Sequence, residues 1–214
     1  MDVYFISGLG ADERAFERIY LPSKYNIHHL NWITPIDNET IFDYGIRLTQ
    51  KIDKNKPFIL IGLSFGGMIV SSIYEQLKPF KAIVISSAKS RNELPFYFRI
   101  VGFLNFNRIL PYKFLKRTNP LYYYLFGVST KDEKKLLDQI VEQTELKFLK
   151  WSVNQIVKWD KKTYSPNLIH IHGTEDRILF YKNIKANFTV KGGKHFMIYT
   201  KAKQVNTILN QIVE

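Results

Sequence analysis

The stretch from Phe58 to Val70 places the tightest constraint on what this chain can fold into. It begins with four consecutive apolar residues, 58–61, which are typical of a short strand buried on both faces. Gly62, Ser64 and Gly66 follow at alternate positions, and a segment with helical spacing comes directly afterwards. That segment places three apolar residues on one face: Ile69, Ile73 and Leu77. The pattern predicts a strand that turns into a helix with a serine at the turn.

The two glycines explain how such a turn can be built. A strand and a helix that meet at one residue pass very close to each other, so the positions two residues before and after Ser64 must be small. The turn aims the serine hydroxyl and the first N–H groups of the helix at the same point outside the sheet. Composition alone would produce Gly-x-Ser-x-Gly only ~0.03 times in such a chain. The alternative is an ordinary glycine-rich turn.

Length and composition favour one packed domain, or one domain with an insertion. The chain has 214 residues, of which 45% are hydrophobic and 15% aromatic. No apolar run approaches the ~18 residues that span a bilayer, and Met1 and Asp2 lead into a strand rather than a signal segment. We therefore expect a cytoplasmic protein without stable membrane insertion. The chain has no cysteine, which excludes disulfides, thiol nucleophiles and thiolate metal sites.

The formal charge of +12 raises the question of a nucleic-acid partner. The lysines are spread along the chain, and many stand beside acidic residues, as in residues 131–135. No run of five or six basic residues and no nucleic-acid motif occurs. We therefore expect a lysine-rich solvated surface, no nucleic-acid partner and a small-molecule substrate.

Apolar runs with strand character recur along the chain and are separated by helical patterns. Strands are predicted at residues 3–6, 26–32, 58–61, 81–86, 167–172 and 186–190. Helices are predicted at 12–20, at 39–54, after the serine turn, at 131–159 as one helix or a pair, and at 196–213. This alternation predicts an α/β fold with a mostly parallel sheet of about six strands and helices on both faces.

Residues 88–166 depart from this alternation, because they carry no strand signal and many aromatics. We interpret 1–87 and 167–214 as an α/β core and 88–166 as an all-helical lid. Each aromatic either lines a cavity under the lid or packs lid helices together. These aromatics are Phe96, Tyr97, Phe98, Phe103, Phe106, Phe114, Tyr122, Tyr123, Tyr124 and Phe126.

Three side chains with complementary chemistry are predicted to meet at one edge of the sheet. Ser64, Asp176 and His195 each follow a predicted strand within a few residues. Ligands of parallel sheets bind beyond the carboxyl ends of the strands. A serine is a poor nucleophile until a base takes its proton, and His195 stands in a glycine-flanked loop at such a strand end.

These residues give the chain a resemblance to the α/β-hydrolase superfamily. The similar stretches are residues 8–10, 62–67, 172–177 and 192–196, in the family's order of serine, acid and histidine. The resemblance covers the whole sequence, although the family's usual leading hairpin is absent. It implies Ser64 as nucleophile, His195 as base and Asp176 as the acid that orients it, with Glu175 as the fallback acid. The other interpretation of Asp176 is a loop cap.

The resemblance also implies an oxyanion hole formed by the backbone N–H groups of Leu9 and Phe65. Gly62 and Gly66 become the glycines of the nucleophile elbow. Family members often have His-Gly in the first loop, where this chain has Ser7 followed by glycine. A backbone donor tolerates that exchange, but the exchange leaves open what holds the loop.

The remaining histidines predict no metal site. His28 and His29 are adjacent in a strand and point to opposite faces, while His170 and His172 are interpreted as packing residues of the next-to-last strand. No carboxylate stands at ligand spacing beside either pair. We therefore expect neither a metal nor a cofactor.

The leading functional prediction is hydrolysis of a small, apolar ester or thioester through an acyl-Ser64 intermediate. The same fold also suits a lyase, an acyltransferase or a carbon–carbon hydrolase. A third possibility is a ligand-binding protein that retains the triad without catalysis. The sequence sets no oligomeric state.

Overall fold

The sheet of the computed structural model, which describes residues 1–105, 112 and 116–214, has six strands in the order β2-β1-β3-β4-β5-β6. All five pairs of neighbouring strands are parallel. The strands are β1 (Asp2–Ile6), β2 (Asn26–Leu30), β3 (Phe58–Leu63), β4 (Lys81–Ile85), β5 (Leu168–Gly173) and β6 (Phe188–Val190). The predicted fold class is confirmed.

Helices cover both faces of this sheet. The helices of the described residues are α1 (Ile41–Leu48), α2 (Phe65–Leu77), α3 (Phe96–Phe103), α4 (Pro120–Phe126), α5 (Lys131–Gln143), α6 (Leu146–Lys158), α7 (Met197–Thr200) and α8 (Ala202–Val213). Alternate residues of β3 enter different cores, since Phe58 and Leu60 pack with α1 and α2 while Ile59 and Ile61 pack with α7 and α8. The central strand is therefore buried on both sides, as its unbroken apolar run predicts.

Two predicted helices are shorter than expected. The segment 12–20 forms only a 3-10 turn, Glu13–Phe16, in which the Asp12 carboxylate accepts the Arg14 N–H at 3.0 Å. The helix predicted over 39–54 is α1, which ends where the Thr49 hydroxyl donates to the Gly45 carbonyl at 2.8 Å. The Gly45 carbonyl also accepts the Thr49 N–H at 3.1 Å, so Thr49 closes the last turn of α1 with both of its donors.

Other boundaries also differ from the prediction. The pattern at 131–159 is a helix pair, α5 and α6, and the pattern at 196–213 is divided into α7 and α8 at Lys201. Strand β2 ends at Leu30 rather than at residue 32, and β6 begins at Phe188 rather than at residue 186.

The helices α3 to α6 lie between β4 and β5 in the chain, and the described residues of that segment contain no strand. Two of its predicted aromatics, Phe106 and Phe114, lie outside the described residues. Within the part of the chain that the structure describes, no helix is long and apolar enough to cross a membrane.

Candidate active site

Ser64 stands between β3 and α2, with the backbone of a strained turn. Its φ of 49° and ψ of −117° are rare for a residue with a side chain. A Cβ atom on Gly62 would lie 2.5 Å from the Gly66 carbonyl oxygen, and one on Gly66 would lie 2.3 Å from that of Ser7. Both positions therefore require glycine. Because of this packing, the strained conformation of the serine persists in the folded chain.

The structure brings Ser64 together with the predicted histidine and acid. The distance from Ser64 Oγ to His195 Nε2 is 2.9 Å, and His195 Nδ1 lies 2.8 Å from Asp176 Oδ2. His195 and Asp176 are each 4% exposed, so water is largely excluded from the pair. With its proton on Nδ1, the ring donates to Asp176 and accepts the serine proton at Nε2. This geometry suits base-assisted attack by a serine.

Asp176 is held in place by two further donors. Its Oδ1 accepts the N–H groups of Ile178 at 2.8 Å and Leu179 at 2.9 Å, which leaves Oδ2 for the histidine. Burial alone would raise the pKa of Asp176, but the interactions with His195, His172 and the Leu179 N–H together outweigh burial and hold the pKa below its ordinary value. The carboxyl is therefore ionised at neutral pH. Glu175, the fallback acid, is exposed and makes no contact with the ring in the hydrogen bonds of the described residues.

His172 adjoins this acid, a contact that the sequence did not reveal. Its Nε2 donates to the Leu179 carbonyl at 2.8 Å and lies 3.5 Å from Asp176 Oδ2. Its Nδ1 then accepts from Nε2 of His170, 3.2 Å away. Both histidines are fully buried, as their interpretation as packing residues requires. Alternation in a strand places them on one face, but the following loop is what brings the acid beside them.

We expect the free energy of unfolding to decrease as the pH falls below about 6.5, the ordinary histidine value. Burial lowers the pKa of His170 and of His172, and for His170 the neighbouring charges of His172 and Lys89 act in the same direction. Below pH 6.5 the unfolded chain therefore binds more protons than the folded chain, so stability rises with pH there and is lost on acidification. Each histidine contributes up to ~1.4 kcal/mol per pH unit.

Urea unfolding between about pH 5 and pH 7.5 tests this expectation. The substitution His170→Phe should reduce the pH dependence of the unfolding free energy. As a control, Leu168→Ala removes a buried side chain that does not titrate from the same strand, and should lower the unfolding free energy by a similar amount at every pH in this range. An equal pH dependence of the unfolding free energy in wild type and His170→Phe would show that His170 does not cause the loss of stability at low pH.

The two predicted oxyanion donors belong to two different segments near Ser64. Phe65 is the first residue of α2, where N–H groups lack an intrahelical partner, and Leu9 belongs to the loop that follows β1. That loop passes close to the nucleophile, because a Cβ atom on Gly8 would lie 3.4 Å from Ser64 Cβ. Both Leu9 and Phe65 line the same cavity as Ser64.

This cavity has a volume of about 470 Å³ and is mostly apolar. Ser64 and His195 lie in its wall, and helices α3 to α6 supply most of the remaining lining. The side chains from these helices are Tyr97, Phe98, Tyr122, Leu125, Phe126, Leu137, Ile140, Val141, Leu149, Val153 and Ile156. Four of the predicted aromatics are thus among the lining residues, whereas Phe96 and Phe103 are exposed. A cavity of this size and character suits a small apolar ligand.

The end of α4 is attached to the loops that carry the histidine and the acid. The Phe126 ring packs edge-on against His195 with 5.5 Å between centroids, and the Phe126 carbonyl accepts the Phe196 N–H at 3.0 Å. Arg177, next to the acid, donates to the Tyr124 carbonyl at 2.9 Å and lies 3.7 Å from the centre of the Tyr124 ring. Helix α4 therefore contacts both the loop that carries Asp176 and the loop that carries His195.

A second hollow, of about 580 Å³, shares no lining residue with the first. It is polar and its lining residues are Lys116, Arg117, Thr118, Asp138 and Glu142. No group of three or more histidine and acidic side chains in the described ranges is arranged to hold a metal ion. The apolar cavity at Ser64 is therefore the candidate active site.

The sequence matches no protein-family model and no curated protein, but it has many structural neighbours. A lipase-esterase related protein from Clostridium acetobutylicum is 15% identical with a TM-score of 0.68, over 98% of this chain and 93% of that one. A thermophilic esterase from Thermogutta terrifontis is 12% identical with a TM-score of 0.69, over 100% of this chain and 89% of that one. The RedJ thioesterase from Streptomyces coelicolor is 14% identical with a TM-score of 0.67, over 98% of this chain and 84% of that one.

These neighbours and the sheet topology define the class of protein. The chain has the α/β-hydrolase fold, and the resemblance predicted from its sequence is confirmed at that level. At identities of 15% or lower the likeness concerns the fold. Because one fold supports many activities, the function has to be argued from the site itself.

Proposed function

We propose that this protein is a serine hydrolase that cleaves a small, apolar ester or thioester through an acyl-Ser64 intermediate. The observation that carries the proposal is the continuous hydrogen-bonded chain from Asp176 through His195 to Ser64, in the wall of an apolar cavity. A serine hydroxyl with a buried base and a buried orienting acid has the parts that acyl transfer requires.

The first half of the proposed reaction acylates the serine. His195 Nε2 takes the proton of Ser64 as Oγ attacks the carbonyl carbon, and Asp176 stabilises the imidazolium that forms. The N–H groups of Leu9 and Phe65 stabilise the negative charge on the substrate oxygen. As the carbon–oxygen or carbon–sulfur bond breaks, the imidazolium returns its proton to the leaving alcohol or thiol.

The second half releases the acyl group. His195 accepts a proton from water, and the hydroxide so formed attacks the acyl-Ser64 carbonyl. The same two donors stabilise the tetrahedral intermediate. As the bond from Ser64 Oγ to carbon breaks, the imidazolium returns its proton to Oγ and the acyl group leaves as a carboxylic acid. Besides the substrate and water, the reaction needs no group outside the described residues.

The lining of the cavity supports the choice of substrate. Helices α3 to α6 cover the nucleophile with aliphatic and aromatic side chains, and we propose that segment 88–166 acts as a lid for an apolar acyl or alcohol group. The small-molecule partner and the cytoplasmic location expected from the sequence belong to the same proposal.

Labelling with a fluorophosphonate probe tests the proposed nucleophile. The probe phosphonylates an activated serine, so we expect wild-type protein to be labelled within minutes. Ser64→Ala should abolish labelling because the acceptor hydroxyl is gone. His195→Ala should block it because the hydroxyl keeps its proton during attack.

Circular dichroism of each variant shows that the loss of labelling does not result from unfolding. If folded wild-type protein is not labelled, the hydrolase proposal is wrong and a binding protein with an inactive triad becomes the better account. Labelling without hydrolysis of any ester or thioester would instead favour a lyase or acyltransferase on the same fold.

A further inference from the structure

We propose that Trp32 is a positioning residue for the reaction above, because it connects the two sides of the oxyanion hole. Trp32 lies just beyond β2 and is not a lining residue of the cavity. Its indole N–H bonds the loop that carries one donor, and its ring packs on the residue that carries the other. This inference rests on the proposed function.

The first contact is with the loop after β1. Trp32 Nε1 donates to the Ala11 carbonyl at 2.7 Å, two residues beyond Leu9. The Ser7 hydroxyl donates to the same carbonyl, and the Ala11 N–H returns to the Gly8 carbonyl at 2.9 Å. The loop is therefore a closed turn, because Ser7 and Gly8 at its start both bond to Ala11 at its end. Family members often have a histidine where this chain has Ser7. Here the hydrogen bonds from Ser7 and Trp32 to the Ala11 carbonyl hold the loop in place.

The second contact is with the other donor residue. The Trp32 and Phe65 rings lie 5.9 Å apart between centroids, and Phe65 is fully buried. Trp32 also packs on Phe148 of α6, at 4.8 Å between centroids. One side chain thus contacts the oxyanion loop, the first residue of α2 and helix α6.

Close packing leaves the loop little other freedom. Gly10 has a φ of +70°, and a Cβ atom there would lie 2.0 Å from Thr144 Oγ1 at the end of α5. On the other side the Ser7 carbonyl abuts Gly66 of α2. These contacts fix where the loop lies. The hydrogen bonds at Ala11 act within the loop, and we infer that they set the direction in which the Leu9 N–H points. Catalysis depends on that direction because the donor must point at the developing oxyanion.

The chain offers a matched control in Trp151. Its indole Nε1 also donates to a backbone carbonyl, that of Glu39, at 2.9 Å. Its ring also packs on Phe65, with 5.8 Å between centroids. The acceptor, however, lies before α1 and not in the oxyanion loop. If indole hydrogen bonds only stabilise the fold, loss of the bond at Trp32 and loss of the bond at Trp151 should lower activity to a similar extent.

The experiment compares Trp32→Phe with Trp151→Phe, using p-nitrophenyl butyrate as substrate. Phenylalanine keeps an aromatic ring and removes the N–H donor. Complete loss of an oxyanion donor costs about 10²–10³-fold in kcat, so misdirection of one donor should lower kcat by about 10–100-fold. We expect KM to change less than about twofold, because the Leu9 N–H stabilises the oxyanion, whose charge develops in the transition state and not in the bound substrate. Trp151→Phe should keep kcat within about twofold of wild type.

A trifluoromethyl ketone provides a second readout, since its adduct with the serine carries an oxyanion. Its inhibition constant should rise for Trp32→Phe by the same factor as kcat/KM falls, and should not rise for Trp151→Phe. Ser7→Ala removes the other donor to the Ala11 carbonyl and should also lower kcat by about tenfold. If Trp32→Phe does not fold, the kcat of Ser7→Ala shows whether the hydrogen bonds to the Ala11 carbonyl position the oxyanion loop.

The inference is overturned if folded Trp32→Phe keeps kcat within twofold of wild type, or loses no more than Trp151→Phe. In those cases wild-type hydrolysis and labelling persist, so the proposed function survives. A folded wild type that neither hydrolyses esters nor reacts with the fluorophosphonate overturns both.

Discussion

Ser64→Ala is expected to lower the turnover of p-nitrophenyl butyrate by at least about 10⁴-fold. The variant lacks the atom that would carry the acyl group, so no covalent intermediate can form. The remaining residues could still activate water, but without an aligned nucleophile the gain is small. Steady-state release of p-nitrophenol measures the effect directly.

Ser72→Ala provides the control, because it removes a hydroxyl from α2, the helix that follows Ser64, without touching the site. Ser72 Oγ donates to the Met68 carbonyl at 2.8 Å and accepts the Trp159 indole N–H at 3.0 Å. We expect this variant to lose some stability and to keep most of its activity. A Ser64→Ala protein with a tenth of wild-type activity would remove Ser64 as nucleophile.

Asp176→Asn should lower kcat by about 10³–10⁴-fold, an effect known for the equivalent change in serine proteases. The reason here lies in the two N–H groups at residues 178 and 179, which bond Oδ1. An asparagine keeps its oxygen toward those donors and therefore turns its NH₂ group toward His195. The ring then has to accept at Nδ1 and carry its proton on Nε2, where it cannot accept from Ser64.

Glu175→Gln is the matched control for this prediction. It makes the same chemical change at the neighbouring residue, which is exposed and was the fallback acid in the sequence analysis. We expect its kcat to stay within about twofold of wild type. If Glu175→Gln were inactive and Asp176→Asn active, the assignment of the acid would be wrong.

The features that the sequence predicts well are the ones with local causes. Unbroken apolar runs place β3 and β4, and the spacing of Gly62 and Gly66 gives the turn at Ser64. The meeting of Ser64, Asp176 and His195 is also predictable, because parallel strands deliver the loops after them to one edge of the sheet. The short distances between the three side chains agree with that reasoning.

The features that the sequence does not predict depend on contacts between distant segments. Nothing near Trp32 indicates that its indole reaches Ala11, and nothing in the alternation of β5 indicates that His172 lies beside Asp176. The buried residues around the 3-10 turn Glu13–Phe16 have helical spacing, so the sequence predicts a longer helix there. Tertiary packing decides such short segments, and periodicity alone cannot.

The central claim is that Ser64 is the activated nucleophile. It is tested most directly by mass spectrometry of the fluorophosphonate-labelled protein, with fragment ions that separate Ser64 from Ser71 and Ser72 of the same helix. We expect one label per chain, on Ser64 alone, and none on the His195→Ala variant. A label on a different residue, or folded wild-type protein that stays unlabelled, would contradict the account.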